Sequence, residues 1–399
     1  MAAPTSPPPS PPASSPTTSR LAVAVDATPL LGVVTGVGSF CRNAFAALGQ
    51  RQDLDMSAFA VTWRRREWLP GRLPQGVAAR QHAMPARPLR AAWLRTDLPP
   101  AEWFVGPVDV VHGTNFVVPP TRRAAEVVTV HDLTPVRFAE MCEAPTLEFP
   151  RLIRRALRRG AFVHTPSRYV ADEVVDVFGA DSSRVRPVWH GVPPAVAEAG
   201  TVAEARDALG LPPTVDRYIL AVGTVEPRKD YPGLVRAFDA VASGCTGVAL
   251  VIAGADGWGS ARLVEVIRAS PHRRRIFRSG YLSDDALATV RRWAALVAYP
   301  SVYEGFGFPP LEAMSAGVPV VATVAGALPE VLGDAAELVR PGEPDELAGA
   351  LARVLSDEQH REALIRKGFE RISLFSWDAS AAGLAALYRD AVAARRPIR

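Results

Sequence analysis

The stretch YEGFGFPPLE, from Tyr303 to Glu312, places two carboxylates eight positions apart around two glycines, two phenylalanines and two prolines. Neither a helix interior nor a strand interior tolerates this mixture, so the sequence predicts a shaped loop. The paired prolines suit the first turn of a helix, which we expect to cover Leu311 to Ala316 and to end at Gly317. A strand is expected to follow it, so the stretch indicates an α/β unit.

The start of that helix indicates what the loop binds. Its free backbone N–H groups and partial positive charge favour an anion such as a diphosphate. Glu312 is expected in the first helical turn, where an acid also stabilises the helix itself by about 0.3–1 kcal/mol. Glu304 has no such structural reason for its charge, so we expect it to bind a neutral group with hydroxyls, such as a ribose or a hexose.

Short apolar runs that end at turn signals recur along the chain and predict its strands. They are Leu21–Asp26, Asp109–Gly113, Val127–Asp132, Ala161–Ser167, Val185–Gly191, Tyr218–Thr224, Val248–Ala255, Ile276–Tyr281, Ala295–Ser301 and Val318–Thr323. Continuous apolar strands suit parallel sheets, and helix-like stretches such as Pro232–Ser243 and Asp284–Ala294 separate them. Because the alternation occurs twice, the fold class is predicted as α/β, with two Rossmann-like, doubly wound domains facing each other across a cleft.

Prolines interrupt the alternation between the two halves, and we place the domain boundary near Val192–Ala199. Residues 1–19 are rich in Pro and Ser and are predicted to be a disordered tail that is not a signal peptide. Residues 20–195 then form the first domain, residues 196–377 the second, and residues 378–399 a final segment.

Composition narrows the class of protein. The chain has 399 residues, of which 48% are hydrophobic and 22% charged, enough for two sizeable cores. A net charge of +4 is compatible with anionic small substrates or a lipid surface and argues only weakly for nucleic acid. Three cysteines, far apart, form no disulfide framework or metal spacing, which favours a reducing cytosol. No apolar run is long enough for a transmembrane helix.

Candidate site residues follow the predicted strands. Gly36 and Gly38 open a helix and expose N–H groups to a phosphate or sugar oxygen, or form a flexible turn. His131 ends a strand, where it can bind a substrate hydroxyl or act as a capping residue, and His112 and His190 hold similar positions. Arg228 and Lys229, one of only two lysines, form an anion clamp or a solvated basic turn.

These motifs resemble those of glycosyltransferase family 4, retaining enzymes of the GT-B fold, and most of all its bacterial mannosyltransferase-B-like branch. The most specific element is the pair Glu304 and Glu312 in EGFGFPPLEAMSAGVPVVA. The motifs VGTVEPRKD, VVTVHDL, TGVG and FSWDASAAGLAALY fit as well. The likeness runs from about Leu21 to Arg389 and implies a hexosyltransferase that uses a nucleotide-sugar donor.

The resemblance also implies roles for the residues of the shaped loop. Glu312 would hold the ribose hydroxyls of the nucleotide. Glu304 would contact the donor sugar, together with the backbone N–H groups of Phe306, Gly307 and Phe308.

Further roles follow for the residues at other strand ends. By the resemblance, Arg228 and Lys229, which follow Gly223, would grip the donor diphosphate, and His131 would reach the hexose near its reacting carbon. Gly36 and Gly38 would approach the phosphate and the acceptor, while Tyr281 and Leu282 would flank the base. Many relatives carry an arginine where this chain has Thr224, so Arg228 must supply more of the grip or the phosphate contact differs.

The implied reaction needs no metal and no cofactor, because fixed cations and the helix N-terminus stabilise the departing diphosphate. The DLD stretch (Asp53–Asp55) mimics a metal motif of the other glycosyltransferase fold, but we interpret it as a solvated loop after a helix. The donor expected from the branch is GDP-mannose, with UDP-glucose next, and the acceptor is a glycan or glycolipid. A nucleotide-sugar epimerase and a non-catalytic sugar-nucleotide binding protein stay open as alternatives, whereas a phosphorylase would need a Schiff-base lysine that the chain does not clearly offer.

Two basic stretches are candidates for contact with a membrane, and the last predicted helix is a candidate for contact with the first domain. Trp63–Leu73 interleaves aromatic residues with arginines and Arg151–Phe162 is basic, so each is a peripheral contact with an anionic membrane or a solvated charged face. A cytoplasmic location, at or near the inner face of the cell membrane, is expected. The resemblance puts the helix in Phe375–Val392 against the first domain.

Overall fold

The computed structural model describes residues 20–32, 35–193 and 200–395, and these fold around two parallel sheets. The predicted tail at residues 1–19 and most of the predicted boundary, residues 194–199, lie outside the described residues. Every strand pair in the two sheets is parallel, so the prediction of two Rossmann-like α/β domains is confirmed.

The first unit contains a seven-stranded sheet in the order β3-β2-β1-β4-β5-β6-β7. Its strands are β1 (Leu21–Asp26), β2 (Leu54–Phe59), β3 (Val77–Arg80), β4 (Val110–Gly113), β5 (Ala125–Thr129), β6 (Phe162–Thr165) and β7 (Val185–Pro187). Its helices are α1 (Gly36–Gly49), α2 (Ala86–Trp93), α3 (Glu102–Val105), α4 (Thr134–Arg137), α5 (Phe149–Arg158) and α6 (Arg168–Phe178).

The second unit contains a six-stranded sheet in the order β10-β9-β8-β11-β12-β13. Its strands are β8 (Arg217–Val222), β9 (Val248–Ala253), β10 (Ile276–Gly280), β11 (Leu296–Tyr299), β12 (Val320–Thr323) and β13 (Glu337–Val339). The helices that follow the first unit are α7 (Val202–Leu209), α8 (Tyr231–Gly244), α9 (Ser260–Ala269), α10 (Asp284–Arg292), α11 (Phe308–Ser315), α12 (Leu328–Leu332), α13 (Pro344–Ser356), α14 (Glu358–Ile372) and α15 (Trp377–Ala393).

The strands form where they do because both faces of each sheet are covered. All six residues of β9 are buried, and successive side chains enter different cores. A strand between two apolar layers needs no polar side, which is why unbroken apolar runs predict these strands. In the described residues no helix combines the length and apolar composition that crossing a bilayer requires.

The sequence interpretation of the DLD stretch as a solvated loop is wrong. Leu54 and Asp55 belong to β2 and pair in register with Leu21 and Ala22 of β1. Asp55 is exposed, while Asp53, in the turn before the strand, is partly exposed and forms an ion pair with Arg51 at 3.0 Å. The sequence pattern did not predict β2 because Asp55 interrupts the apolar run of this strand.

Helix α15 leaves the second unit and packs on the first. Its buried residues Leu384, Leu387 and Tyr388 share a core with α1 and with strands β1, β2, β4 and β5. Ser376 caps the helix by accepting hydrogen bonds from the N–H groups of the first turn. The helix therefore joins the chain's end to the first sheet, as the resemblance implied, while the exact domain boundaries stay a prediction.

Candidate active site

The two units meet at the loop between β11 and α11. A Cβ on Gly305 would lie 1.8 Å from the His131 carbonyl oxygen, so only glycine allows the two backbones to approach this closely. The Ser167 hydroxyl donates to the Gly305 carbonyl at 2.9 Å. The Tyr303 hydroxyl accepts from the Leu133 N–H at 2.9 Å. The loop that the sequence singled out therefore forms a close contact between the two units.

A charged cluster lies on the second unit's side of this contact. The Glu304 carboxylate is 2.5 Å from the Arg228 guanidinium and 2.6 Å from Lys229 Nζ. Arg228 also contacts Glu226 at 2.7 Å, and Lys229 donates to the Tyr299 hydroxyl at 2.7 Å. The side chains of Glu304, Arg228 and Lys229 are 9%, 15% and 8% exposed, so the cluster balances two buried cations with two carboxylates.

The electrostatics of the cluster keep Glu304 ionised. Burial alone would raise the pKa of Glu304, but the charges of Arg228 and Lys229 outweigh it and lower the pKa to about 2. Burial lowers the pKa of Lys229, and Glu304 counteracts this. The expectation that Glu304 has no structural need for its charge is therefore wrong, because its carboxylate neutralises both cations.

The start of helix α11 borders the cluster and differs from the expected one. The helix begins at Phe308, three residues before the predicted start, after Gly307 with φ of 117°. Glu312 therefore lies in the second turn rather than the first, and it pairs with Arg291 of α10 at 2.6 Å. The expected stabilisation of the helix start by Glu312 does not apply, so its charge is fixed by an arginine instead.

Three backbone N–H groups at this helix start have no hydrogen-bond partner among the described residues: those of Phe306, Gly307 and Phe308. The next two residues, Pro309 and Pro310, carry no N–H at all. Free donors at a helix N-terminus are suited to an oxygen-rich or anionic group. The sequence placed these three residues at the donor, and the structure brings them next to Glu304.

His131 belongs to the first unit, where its backbone carbonyl lies against Gly305 of the loop and its ring is held as one tautomer. Its Nε2 lies 2.8 Å from the Thr114 carbonyl oxygen, which only accepts, so Nε2 carries the proton. Burial lowers the pKa of His131, although Thr114 and Asp132 act in the other direction. The neutral ring therefore offers Nδ1 as an acceptor for a hydroxyl donor. The sequence prediction allowed the ring either to donate to or to accept from a substrate hydroxyl, and the structure favours acceptance at Nδ1.

The remaining predicted residues lie around the same edge. Gly36 begins α1 beside Phe308, since a Cβ on Gly36 would lie 3.8 Å from that ring, and Gly38, two residues further on, is buried. Gly223 follows β8 and lies against the Lys229 side chain.

Two of the predicted residues, Tyr281 and Leu282, follow the edge strand β10 and are not among the residues that contact the charged cluster. Tyr281 follows β10 and is 55% exposed, while Leu282 packs on the core of the second unit. Strand β10 is two strands away from β8, and because all strands of this sheet are parallel, their carboxyl ends lie along the same edge of the sheet. Their expected role beside a base stays a prediction.

The first unit holds a neutral counterpart to the charged cluster. The Tyr388 hydroxyl lies 2.8 Å from His112 Nδ1, and Thr129 Oγ1 lies 2.7 Å from His112 Nε2 and 2.9 Å from His164 Nδ1. His164 Nε2 reaches the Val188 carbonyl at 3.1 Å, which must accept. Each proton is thereby fixed in one direction, from Tyr388 through His112 and Thr129 to His164.

Sequence reasoning missed the partners that fix the site. Glu226 and Tyr299 hold Arg228 and Lys229, and Arg291 holds Glu312. Glu226 stands two residues before Arg228 in a quoted motif, so proximity in sequence could have suggested it. Glu330, which accepts from the N–H groups of Arg168 and Tyr169 at 2.8 Å across the two units, gave no signal of its own.

Comparison with known proteins agrees with this geometry. Residues 204–371 match the family described as glycosyl transferases group 1. The O-antigen chain mannosyltransferase B of Escherichia coli is 29% identical over 67% of this chain and 71% of its own length. The D-inositol 3-phosphate glycosyltransferase of Acidothermus cellulolyticus is 30% identical over 94% of this chain and 90% of its own.

A solved structure extends the likeness to the fold. Anabaena HepE in complex with UDP-glucose superposes with a TM-score of 0.67 at 17% identity, over 92% of this chain and 100% of that chain. Two parallel-sheet units, with site residues at facing sheet edges, match the GT-B architecture that the resemblance implied. The chain therefore belongs to the glycosyltransferase group 1 family and is a transferase of the GT-B fold.

Proposed function

We propose that this enzyme transfers a hexose from a nucleotide sugar to a hydroxyl of a glycan or glycolipid acceptor, with retention of the anomeric configuration. The observation that carries the proposal is the buried cluster of Arg228, Lys229 and Glu304 beside the free N–H groups of α11. Cations and a helix N-terminus suit a diphosphate, while a carboxylate suits sugar hydroxyls. The loop that carries Glu304 meets His131 of the other unit at the His131 backbone carbonyl.

The proposed chemistry uses charges that are already in place. As the bond to the sugar lengthens, the departing nucleoside diphosphate gains negative charge, which Arg228, Lys229 and the start of α11 stabilise without reorganising. Glu304 and Nδ1 of His131 accept hydrogen bonds from hydroxyls of the hexose. The acceptor hydroxyl then attacks from the face that the diphosphate leaves, and its proton passes to an oxygen of the departing diphosphate.

The rest of the donor is proposed to bind the second unit. Glu312, held by Arg291, would accept from the ribose hydroxyls, and Tyr281 and Leu282 would border the base. Thr224 brings no charge to the diphosphate, so Arg228 is the arginine available there.

For the donor we favour GDP-mannose, supported by the likeness to the mannosyltransferase B of Escherichia coli. UDP-glucose is the alternative, because the structurally similar Anabaena HepE binds it. The names of the two relatives differ in their acceptors, which leaves the acceptor as a glycan or glycolipid hydroxyl. We propose that the reaction is independent of metal, with the fixed cations in that role.

For location we propose the cytoplasm with peripheral contact to an anionic membrane. Trp63 and Trp68 are 62% and 49% exposed among arginines, a composition that suits an interface with lipid headgroups.

The experiment is a thermal-shift comparison with GDP-mannose, UDP-glucose and ADP-glucose, with and without EDTA. We expect GDP-mannose to raise the Tm most, equally with EDTA, and Lys229→Ala to remove the shift. Lys367→Ala is the matched control, because Lys367 is the other lysine and pairs with Asp334 on the surface.

The other possible outcomes distinguish the alternative donor, a metal requirement and an epimerase. Stabilisation by UDP-glucose alone would assign the alternative donor, and loss of the shift with EDTA would overturn metal independence. Product analysis of the same donor incubated without acceptor identifies an epimerase, which would convert the donor to its epimer. No shift with any of the three donors would contradict the proposed function.

A further inference from the structure

Tyr303 is buried at the contact between the two units, with 3% of its surface exposed, and it directly precedes Glu304 of the charged cluster. Its hydroxyl accepts a hydrogen bond from the Leu133 N–H at 2.9 Å. The same hydroxyl donates to the Glu173 carboxylate of α6. One side chain of the second unit is therefore bonded to two separate segments of the first.

The direction of both hydrogen bonds is fixed. A backbone N–H only donates, so the Tyr303 oxygen accepts from Leu133 and its own proton goes to Glu173. Burial is the main cause that raises the pKa of Tyr303, and the carboxylates of Asp132 and Glu173 act in the same direction. The hydroxyl therefore keeps its proton at neutral pH and donates it to the carboxylate.

The first unit holds the partner of this hydroxyl in place. The other carboxylate oxygen of Glu173 accepts from Arg137 Nε at 2.9 Å, and the Glu173 side chain is 9% exposed. The Tyr303 ring also packs against Phe138, with ring centroids 5.4 Å apart. Glu173 is thus a fixed acceptor rather than a solvated side chain that could turn away.

The backbone of Tyr303 reaches the charged cluster. Its carbonyl oxygen accepts from Arg228 Nη1 at 2.9 Å, and the Arg228 carbonyl accepts from the Val302 N–H at 2.9 Å. The next residue, Glu304, pairs with Arg228 and Lys229. Because Tyr303 and Glu304 share a planar peptide bond, a displacement of Tyr303 also displaces the carboxylate of the cluster.

The hydroxyl is also bonded to the segment that carries His131, since Leu133 lies two residues after this histidine. His131 and Glu304 are proposed to hold the donor hexose from opposite units. The distance between them therefore depends on the bonds of one hydroxyl group. Small displacements of groups that hold a reacting molecule lower turnover by large factors.

We propose that Tyr303 is a positioning residue, whose hydroxyl holds the Glu304 cluster of the second unit in register with His131 of the first. The inference rests on the proposed transfer reaction, since a reaction that uses groups from both units needs this register. Glu173 is the carboxylate that fixes the hydroxyl. Neither Tyr303 nor Glu173 is assigned a contact with the substrate.

The test is Tyr303→Phe, which keeps the ring and the carbonyl that holds Arg228 but removes the hydroxyl. The matched control is Tyr218→Phe, because the buried Tyr218 hydroxyl donates to the Val290 carbonyl at 2.6 Å within the second unit. GDP release from GDP-mannose, with methyl α-mannoside and water as acceptors, measures turnover. Calorimetry with GDP measures donor binding, and hydrogen exchange of the Leu133 amide measures the contact without any substrate.

We expect Tyr303→Phe to lower kcat for GDP release at least about tenfold, with GDP affinity unchanged and with faster exchange at Leu133. Tyr218→Phe should leave all three like wild type, although it also loses a buried hydrogen bond. A residue with only a structural role would lower the Tm without lowering the kcat of the folded protein. Unchanged kcat, unchanged exchange or a loss of GDP affinity in Tyr303→Phe would therefore overturn the proposal.

A second pair of variants keeps the proposal testable if Tyr303→Phe folds poorly. Glu173→Gln weakens the acceptor of the Tyr303 hydroxyl, and Asp172→Asn, at an exposed position of the same helix, is its control. We expect kcat to fall in Glu173→Gln and not in Asp172→Asn, and normal turnover in Glu173→Gln would contradict the proposal. Where both variants fold, combining Glu173→Gln with Tyr303→Phe should cost no more than Tyr303→Phe alone, because both act on one bond.

Failure of this inference and failure of the proposed function are distinguishable. If wild type and Tyr303→Phe release GDP at the same rate, the reaction stands and the positioning role falls. If wild type shows neither a thermal shift nor release of nucleotide with any of the three donors, the proposed function falls and the inference falls with it.

Discussion

Each unit buries a connected group of polar side chains. The group in the first unit is neutral, and the group in the second unit is ionised. The first unit buries a neutral chain, Tyr388, His112, Thr129 and His164, in which every proton has a fixed direction. The second unit buries full charges around Glu304, two cations against two carboxylates.

The difference separates a structural network from a functional one. A satisfied neutral chain orients its members at little cost, and here it ties α15 to the first sheet. Buried ion pairs repay their desolvation poorly and are weak contributors to stability, so their presence at a cleft favours a role with a charged ligand. In our proposal the neutral chain of the first unit is therefore structural, and the charged cluster of the second unit binds the donor diphosphate.

Separating the two networks should have the largest effect. Gly305→Ala introduces a Cβ that cannot coexist with the His131 carbonyl at its present distance, so the units must shift apart. We expect kcat/KM to fall by at least about 100-fold, because small displacements of reacting groups cost this much. Gly349→Ala in helix α13, where a Cβ meets nothing within 4 Å, is the control and should leave turnover unchanged. Normal turnover in Gly305→Ala would show that this contact is not needed.

Removing the central carboxylate should have the next largest effect. Glu304→Gln keeps the shape but leaves Arg228 and Lys229 with less compensation, so we expect kcat to fall roughly 10- to 100-fold. Affinity for the free nucleoside diphosphate should not fall, because Glu304 is proposed to contact the sugar and both cations stay in place. Glu312→Gln should instead raise the donor KM, since ribose binding is common to ground and transition states. Steady-state kinetics and calorimetry together would reveal the reverse assignment of the pair.

Acid should break the neutral network selectively. Burial lowers the pKa of His164 to about 3, and burial also lowers the pKa of His112 and His190 from 6.5. Below pH 6.5 the unfolded chain therefore binds more protons than the folded one, and stability falls as pH falls. The loss approaches about 1.4 kcal/mol per pH unit for each histidine.

Thermal melts from pH 7.5 to 5 measure this loss. His164→Gln should flatten the pH dependence, whereas His82→Gln, at an exposed position, should not. An unchanged slope in His164→Gln would contradict the neutral network as the source.

A smaller loss is expected where one hydroxyl links two histidines. Thr129→Val keeps the side-chain shape but leaves a ring nitrogen of His112 and one of His164 without their partner. The cost should be about 1–3 kcal/mol in free energy of unfolding, measured by denaturant titration. Turnover of the folded fraction should change little, and a large loss of turnover without loss of stability would assign the chain to catalysis instead.

What the sequence could predict follows from which interactions are local. All ten apolar runs overlap strands, of which eight lie inside their sheets, where both faces are covered, and two, β7 and β10, lie at the edges. The edge strands β3 and β13, with half-exposed residues, carried no such signal. Arg228, Lys229 and Glu304 were predicted in one site because each follows a strand and because of the resemblance, and the structure shows that β8 and β11 are neighbours.

The residues that these side chains contact could not be predicted from the sequence pattern. Tyr299 contacts Lys229 only through the packing of two strands, and Gly305 reaches His131 only because the units come together. Glu312 was misplaced by one turn since the prolines suggested a later helix start than Phe308. Contacts between distant segments depend on how the whole chain packs, which no local spacing encodes.

The most direct measurement concerns the claim that the charged cluster binds the donor diphosphate. Calorimetry with GDP and with guanosine would compare wild type, Lys229→Ala and the surface control Lys367→Ala. We predict that Lys229→Ala weakens GDP binding by about 1.5–3 kcal/mol, as expected for a lost charged hydrogen bond, while guanosine binding stays the same. Equal losses for GDP and guanosine, or no loss of GDP binding, would contradict the assignment of this cluster to the donor diphosphate.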